Sequence, residues 1–263
     1  MNKQQENDQK RCEIGQIWQL GDHRLYCGSS DDLPKQLFDG MKVKMICTDP
    51  PYGVDYVESK ENFIKTANTN ISRAKSIIND QIQTDEEYTE FTRKWLDAVK
   101  QYLDHYNTAY IFNSDLMYCA LKNGMREAEF YYSQMIIWIK NTVVVGRKDY
   151  LPQNELIAYG WYGRHKMERG KDKSIVSYPK PSSNKLHPTM KPVGLIRRLI
   201  LNSTKVGDVV YDAFGGSGTT LIACEHTKRR CIIVEIDPEY CDQTIKRWEI
   251  LTGKRATLLE SGS

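Results

Sequence analysis

The stretch from Val209 to Asp237 restricts this chain to few folds. Val209-Val210-Tyr211-Asp212 reads as a short buried strand, and Ala213-Phe214-Gly215-Gly216-Ser217-Gly218 as a glycine-rich turn. Thr219-Thr220 opens a helix through Leu221-Ile222-Ala223-Cys224-Glu225-His226. Cys231-Ile232-Ile233-Val234-Glu235-Ile236-Asp237 is then a second apolar strand ending in acids. Strand, turn, helix and strand in this order form a nucleotide-binding βαβ unit. The glycines let the backbone approach a ligand, and an acid closing the next strand takes a ribose hydroxyl pair. The glycine spacing is not GxGxxG, and no lysine follows the last glycine as in a phosphate-gripping loop. Neither a dinucleotide nor ATP is therefore the best ligand.

A second stretch, Thr48-Asp49-Pro50-Pro51-Tyr52, follows the apolar run Val43-Lys44-Met45-Ile46-Cys47. Two prolines cannot continue a sheet ladder, so the strand stops there and the chain turns. Each proline also pushes the residue before it toward extended geometry, which stiffens Asp49 and Pro50. A carboxylate, the Pro50 carbonyl and the Tyr52 ring then share the rim of a sheet. The set suits a flat ring bearing an amine: carboxylate and carbonyl accept from the NH2 group while the tyrosine stacks on the ring face. A proline-terminated strand with a capping aspartate is the plainer reading of the same residues.

Together these stretches resemble the amino-group DNA methyltransferases of the DNA methylase N-4/N-6 family, in their β-type, circularly permuted and adenine-N6-specific form. In that group a DPPY box precedes an FxGxG box, as Asp49–Tyr52 precedes Phe214–Gly218 here. His187-Pro188-Thr189-Met190-Lys191-Pro192 looks like the group's HPTxKP element. The resemblance runs from about Gly21 to about Lys254. It implies an α/β fold, Rossmann-like and S-adenosylmethionine-dependent, with a mostly parallel sheet covered by helices on both faces. It implies catalytic roles for Asp49, Pro50, Pro51 and Tyr52. Phe214, Gly215, Gly216, Ser217 and Gly218 would line the cofactor, with Asp212 beneath them. Glu235 is the first choice for the ribose hydroxyls and Asp237 the second, although Asp237 could instead cap the following helix. Thr189 and Lys191 would steady the cofactor carboxylate. Ser29 stands where the group has an acid near the cofactor adenine, and Asp31 reads as the cap of a helix over Leu33–Phe38.

The chemistry favours an exocyclic amine. The N6 amine of adenine is a poor nucleophile because its lone pair is delocalised into the ring, and preorganised acceptors at Asp49 and Pro50 would keep electron density on nitrogen. The base is inaccessible inside a duplex and must be flipped out. Transfer to C5 of cytosine needs a cysteine nucleophile, normally in a Pro-Cys dipeptide, and the chain has none. N4 of cytosine remains a competitor. So do an RNA or protein-glutamine methyltransferase with a related box, and a nucleic-acid-binding module on a degenerate fold.

At 263 residues the chain is read as a single methyltransferase domain. Residues 1–13 are expected to form a loose tail, 53–79 a mobile DNA-facing loop, 140–186 a basic target-recognition insert and 187–254 the cofactor-binding half. A net charge of +3 does not identify a nucleic-acid binder, but bases outnumber acids from Lys140 to Lys191. Lys60, Arg73, Arg147, Lys148, Arg164 and Lys166 are the candidate contacts to duplex DNA. No run reaches membrane-span length and no signal peptide is evident. The seven cysteines show neither CxxC pairs nor zinc-like spacing, so neither a membrane nor a metal is expected and the cytoplasm is the expected compartment. Monomer and homodimer both fit.

Between the boxes, apolar spacing predicts a helix from Asp85 to about Tyr106, with Tyr88, Phe91, Trp95, Leu96, Val99, Tyr102 and Leu103 on its core face. Strands are expected at Thr108–Phe112, Gln134–Ile139 and Asn154–Gly160, a helix over Leu116–Ala128, and further helices at Val193–Ser203 and Tyr240–Thr252. Glu155 is a candidate support for the neighbouring loops.

Overall fold

The computed structural model describes residues 11–52, 83–143, 149–179 and 190–260. Its strands are β1 (Ile17–Leu20), β2 (His23–Cys27), β3 (Val43–Thr48), β4 (Leu103–Asn113), β5 (Phe130–Ile139), β6 (Asn154–Tyr162), β7 (Ile175–Ser177), β8 (Val209–Asp212), β9 (Arg230–Glu235) and β10 (Thr257–Glu260). Its helices are α1 (Lys35–Phe38), α2 (Asp85–Lys100), α3 (Tyr118–Glu127), α4 (Val193–Ser203), α5 (Thr219–Thr227) and α6 (Pro238–Thr252). All described strands join one sheet in the order β10-β1-β2-β9-β8-β3-β4-β6-β5-β7. Neighbours from β2 to β4 pair in parallel. The flanks turn antiparallel at β1–β2, β1–β10, β4–β6 and β5–β6.

The central strands are apolar on both faces because both are covered. Along β9, Cys231 and Ile233 enter one core layer, and Ile232 and Val234 the other. Leu195, Ile196, Leu199 and Ile200 of α4 and Cys241, Ile245 and Trp248 of α6 fill the first layer. Tyr88, Trp95, Leu96 and Val99 of α2 and Leu121 and Met125 of α3 fill the second. In β3, Val43 and Met45 are both odd-numbered yet face opposite layers. A register shift between them against both neighbouring strands reverses the alternation.

The predicted first long helix is too long. α2 begins with a capping box in which Thr84 and Glu87 bond each other's backbone amides, and it ends at Lys100. Leu103 already belongs to β4, and Tyr102 stacks on Phe38 with ring centroids 3.6 Å apart. Residues 1–10 of the expected loose tail lie outside the described residues, and Arg11 and Cys12 pack against α6. Cys12 is buried, the Arg11 amide donates to Asp242, and the Arg11 guanidinium pairs with Glu249 at 3.1 Å. Part of the 140–186 stretch is sheet, since β6 runs two residues beyond the predicted Gly160 and β7 pairs with β5. The helix after Asp31 starts only at Lys35, with Pro34 in the cap position and no side-chain cap. Asp31 therefore does not cap it.

Candidate functional site

The strand order places the site. β3 leads through α2 to β4 on one side, while β8 leads through α5 to β9 on the other, so the chain diverges between β8 and β3. The carboxyl ends of strands at such a divergence form a ligand crevice. Here they carry the acidic box after Thr48 and the glycine turn after Asp212. One cavity of about 310 Å³ is lined by Asp49, Pro50, Pro51 and Tyr52 together with Asp212, Phe214, Gly215, Gly216, Ser217, Glu235 and Asp237. Two boxes more than 150 residues apart in the chain thus share a single space.

Thr48 Oγ1 donates to Asp212 Oδ1 at 2.7 Å and accepts from the Ala213 amide at 3.1 Å, riveting β3 to β8. Burial pushes the Asp212 carboxyl up to about 6, against hydrogen bonds from Thr220, Thr48 and the Phe214 amide. The turn itself needs glycine. Gly216 and Gly218 have φ of 49° and 76°, and a side chain at Gly218 would run into Thr244 of α6. Thr244 Oγ1 also donates to the Gly216 carbonyl at 3.0 Å, and Arg247 donates to the Ser217 carbonyl at 3.0 Å. Gly218 itself contributes the cap of α5 rather than cavity wall. These two α6 anchors carry no motif that a sequence reading could have found.

Glu235 closes β9 with one oxygen accepting from the Gly216 amide at 2.7 Å and the other from the Asp237 amide at 2.8 Å. Burial holds its carboxyl up to about 7, opposed by these two bonds. Asp237 takes the capping alternative: its Oδ1 accepts from Glu239 N at 2.9 Å at the start of α6, ahead of Pro238. Asp31 lies in the cavity wall instead of at a helix start, accepting a bond from the Ser29 hydroxyl. Phe214 packs against Phe91 and Trp95, with ring centroids 5.6 Å away in each case.

At the acidic box, Tyr52 OH donates to Asp49 Oδ1 at 2.6 Å, and the Lys191 ammonium donates to Asp49 Oδ2. Lys191 is neither a surface lysine nor turned away from the box, being only 8% exposed. It also meets Glu155 Oε2 at 3.1 Å, and Glu155 Oε1 pairs with Lys140 at 2.7 Å. Lys140 is therefore withdrawn from the basic surface stripe. Burial raises Asp49 above the usual carboxylate range, with the Lys191 charge the main opposing influence. For Glu155, burial is outweighed by Lys191 and Lys140, which hold it below that range.

Arg164 and Lys166 are exposed and sit toward the end of the sheet opposite this cavity. Arg164 bridges Tyr106, near the start of β4, whereas the crevice lies beyond Asn113 at its finish. Seven strand residues separate the two levels, roughly 23 Å. Charge density alone carries no direction, so the sequence could not make this distinction. Lys60, Arg73, Arg147, Lys148, Thr189 and His187 lie outside the described residues, as does the expected loop at 53–79. Among the described residues, no helix is long and apolar enough to cross a membrane, and no group of three or more His, Cys, Asp or Glu side chains could hold a metal ion.

A sequence profile of a DNA methylase family covering N6 and N4 enzymes matches residues 43–246. A relative named type II methyltransferase M.HpaI, from Haemophilus parainfluenzae, is 27% identical over 254 residues, covering 86% of this chain and 74% of its own. The fold is similar to that of M1.HpyAVI in its SAM complex, with a TM-score of 0.61 at 22% identity over 85% of this chain and 98% of that one. It is also similar to the PvuII DNA methyltransferase described as cytosine-N4-specific. That TM-score is 0.66 at 17% identity, over 92% of this chain and 98% of the other.

Proposed function

The chain belongs to the family of N6 and N4 DNA methylases, and from that membership we propose that it transfers a methyl group from S-adenosylmethionine to N6 of an adenine turned out of duplex DNA at a specific site. The observation that carries this reading is the shared cavity. The acidic box and the glycine turn line one space, so an amine held by the first faces a cofactor held by the second.

Bound S-adenosylmethionine supplies a methyl group activated on a sulfonium. The residues present fit it. The Glu235 carboxylate is held at the cavity wall by two backbone amides and keeps lone pairs for ribose hydroxyls. Phe214, Gly215, Gly216 and Ser217 provide the wall beside it, with Asp212 at the start of the turn and Asp237 in the wall where it caps α6. Asp49 and the Pro50 carbonyl accept the two amine hydrogens, which keeps the nitrogen lone pair available without a strong base. Tyr52 offers its ring face to the extruded base while its hydroxyl braces Asp49. Pro51 stiffens the box. Alignment, rather than proton abstraction, is the main contribution of these residues.

Adenine is preferred because, in the resembling group, an aspartate opening the box goes mostly with adenine and a serine mostly with cytosine. The circularly permuted motif order belongs to the same reading. N4 of cytosine is the second reading, since the same acceptor pair fits any exocyclic amine. A restriction-modification setting in the cytoplasm goes with either, supported by the type II designation of the Haemophilus relative. Expression in a methylation-free host followed by genome-wide mapping of modified bases tests target base and sequence together. N6-methyladenine at one short motif is the expected result, and N4-methylcytosine would replace the first reading by the second.

A further inference from the structure

We propose that Glu155, itself held by Lys140, is a positioning residue that sets the hydrogen-bond acceptor strength of Asp49 through Lys191. The proposal rests on the reading of Asp49 as the acceptor for the target amine. Four charged groups of alternating sign run in a row: Lys140 to Glu155 at 2.7 Å, Glu155 to Lys191 at 3.1 Å, and Lys191 in direct contact with Asp49. All four line the cavity.

The row is built into the sheet. β5 and β6 pair Trp138 with Glu155, which sets Lys140 and Glu155 at the crevice end of adjacent strands. The Lys140 amide donates to the Gln153 carbonyl at 2.8 Å, and the Gln153 side chain donates back to the Lys140 carbonyl at 3.0 Å, locking that end. Buried ion pairs rarely repay their desolvation in stability, so three of them in a row beside the acidic box point to a role in the chemistry.

Electrostatics supply that role. An ammonium on Asp49 opposes the effect of burial and favours the ionised carboxylate, but alone it would also draw off the electron density that an amine hydrogen needs. Glu155 shares the Lys191 charge and returns basicity to Asp49. Lys140 keeps Glu155 ionised in turn. Other groups facing Asp49 are the Tyr52 hydroxyl, the Cys47 thiol of β3 and the Asp212 carboxyl of β8, while Tyr88 of α2 acts on it through Tyr52. Burial opposes the Lys191 charge, yet Asp49 and Glu155 together raise it well above an ordinary lysine, so it stays an ammonium through the working range.

The test is single-turnover methyl transfer to DNA at saturating cofactor, measured against pH for wild type, Glu155→Gln, Lys140→Gln and Asp49→Ala, with equilibrium cofactor binding for each. Glu155→Gln is expected to slow transfer by about tenfold or more and to move the acid limb to lower pH, since Asp49 loses the neighbour that raises it. Lys140→Gln is expected to move that limb the opposite way, because the Glu155 charge then bears more fully on Asp49. A merely structural role predicts no opposed displacement. Limbs that stay put, or that move together, overturn the proposal, as does a Glu155→Gln defect wholly explained by weaker cofactor binding. Should Glu155→Gln fail to fold, the Lys140→Gln limb decides alone. Asp49→Ala separates the two levels: full transfer by this variant removes the reading of the reaction, whereas an inactive Asp49→Ala with unmoved limbs removes only the role of Glu155.

Discussion

The hydroxyl of Thr48 donates to the carboxylate of Asp212 at 2.7 Å although the two residues are 164 positions apart. The bond extends the parallel β3–β8 pairing to the point where one strand delivers the acidic box and the other the glycine turn. The acidic box and the glycine turn thus start from strand ends fixed to each other within the sheet.

Replacing Thr48 by valine keeps the shape and removes the bond. It leaves a buried carboxylate and the Ala213 amide without this partner, so a loss of about 1–3 kcal/mol in stability is expected. Transfer should fall more than cofactor affinity, because the box and the turn lose the side-chain tie at their strand ends while each remains intact. Denaturant unfolding and single-turnover rates measure the two effects separately.

Cofactor binding should depend on pH through Glu235. Burial raises this carboxyl to about 7, so its contribution to stability is fully present below the ordinary value of about 4.3 and is lost as pH rises through about 7. A ligand whose hydroxyls donate to the ionised form pulls the other way. Its dissociation constant should tighten between about pH 6 and about pH 8, and Glu235→Gln should flatten that dependence. Titration calorimetry at several pH values provides the comparison.

Charge reversal at Arg164 and Lys166 should leave the rate of methylation and the slope of its logarithm against salt unchanged, since both residues lie at the sheet end away from the crevice. A reduced slope would return them to the DNA interface.

Glu225 should matter for stability alone. Its Oε2 accepts from Trp248 at 2.8 Å and lies 2.9 Å from His23 Nε2, while His23 Nδ1 accepts from the Cys231 amide. The second ring nitrogen therefore carries the hydrogen. Glu225→Ala strands two buried donors, at an expected cost of roughly 2–4 kcal/mol. The His23 bond foremost holds the Glu225 carboxyl down at about 2, so its stabilisation is present above about 4.3 and disappears as pH falls through about 2. Thermal unfolding from neutral to acid pH should show wild type and Glu225→Ala converging at the acid end.

Much of the site was legible because its parts are local. Two prolines must end β3, and glycines before an apolar helix must turn there, whatever the rest of the chain does. What stayed hidden depends on which strands become neighbours. Lys140, Glu155 and Lys191 meet only because β5 and β6 pair antiparallel and the chain returns to their crevice end before α4, and no periodicity encodes that. The position of Arg164 beside Tyr106 stays hidden for the same reason, a count of bases being blind to strand direction. The helix spacing through Tyr102 and Leu103 continued past Lys100 because a core-facing strand start is apolar too. Asp31 precedes an apolar run as a helix cap would, but Pro34 holds the cap position of that short helix without it.

The most direct measurement is the nucleoside composition of DNA treated with purified enzyme and labelled S-adenosylmethionine, for wild type and Asp49→Ala side by side, with cofactor affinity determined for both. The expected result is label in N6-methyldeoxyadenosine from the wild type, and none from Asp49→Ala despite cofactor binding within a few-fold. Label from Asp49→Ala at the wild-type rate, or loss of cofactor binding as its only defect, would contradict it.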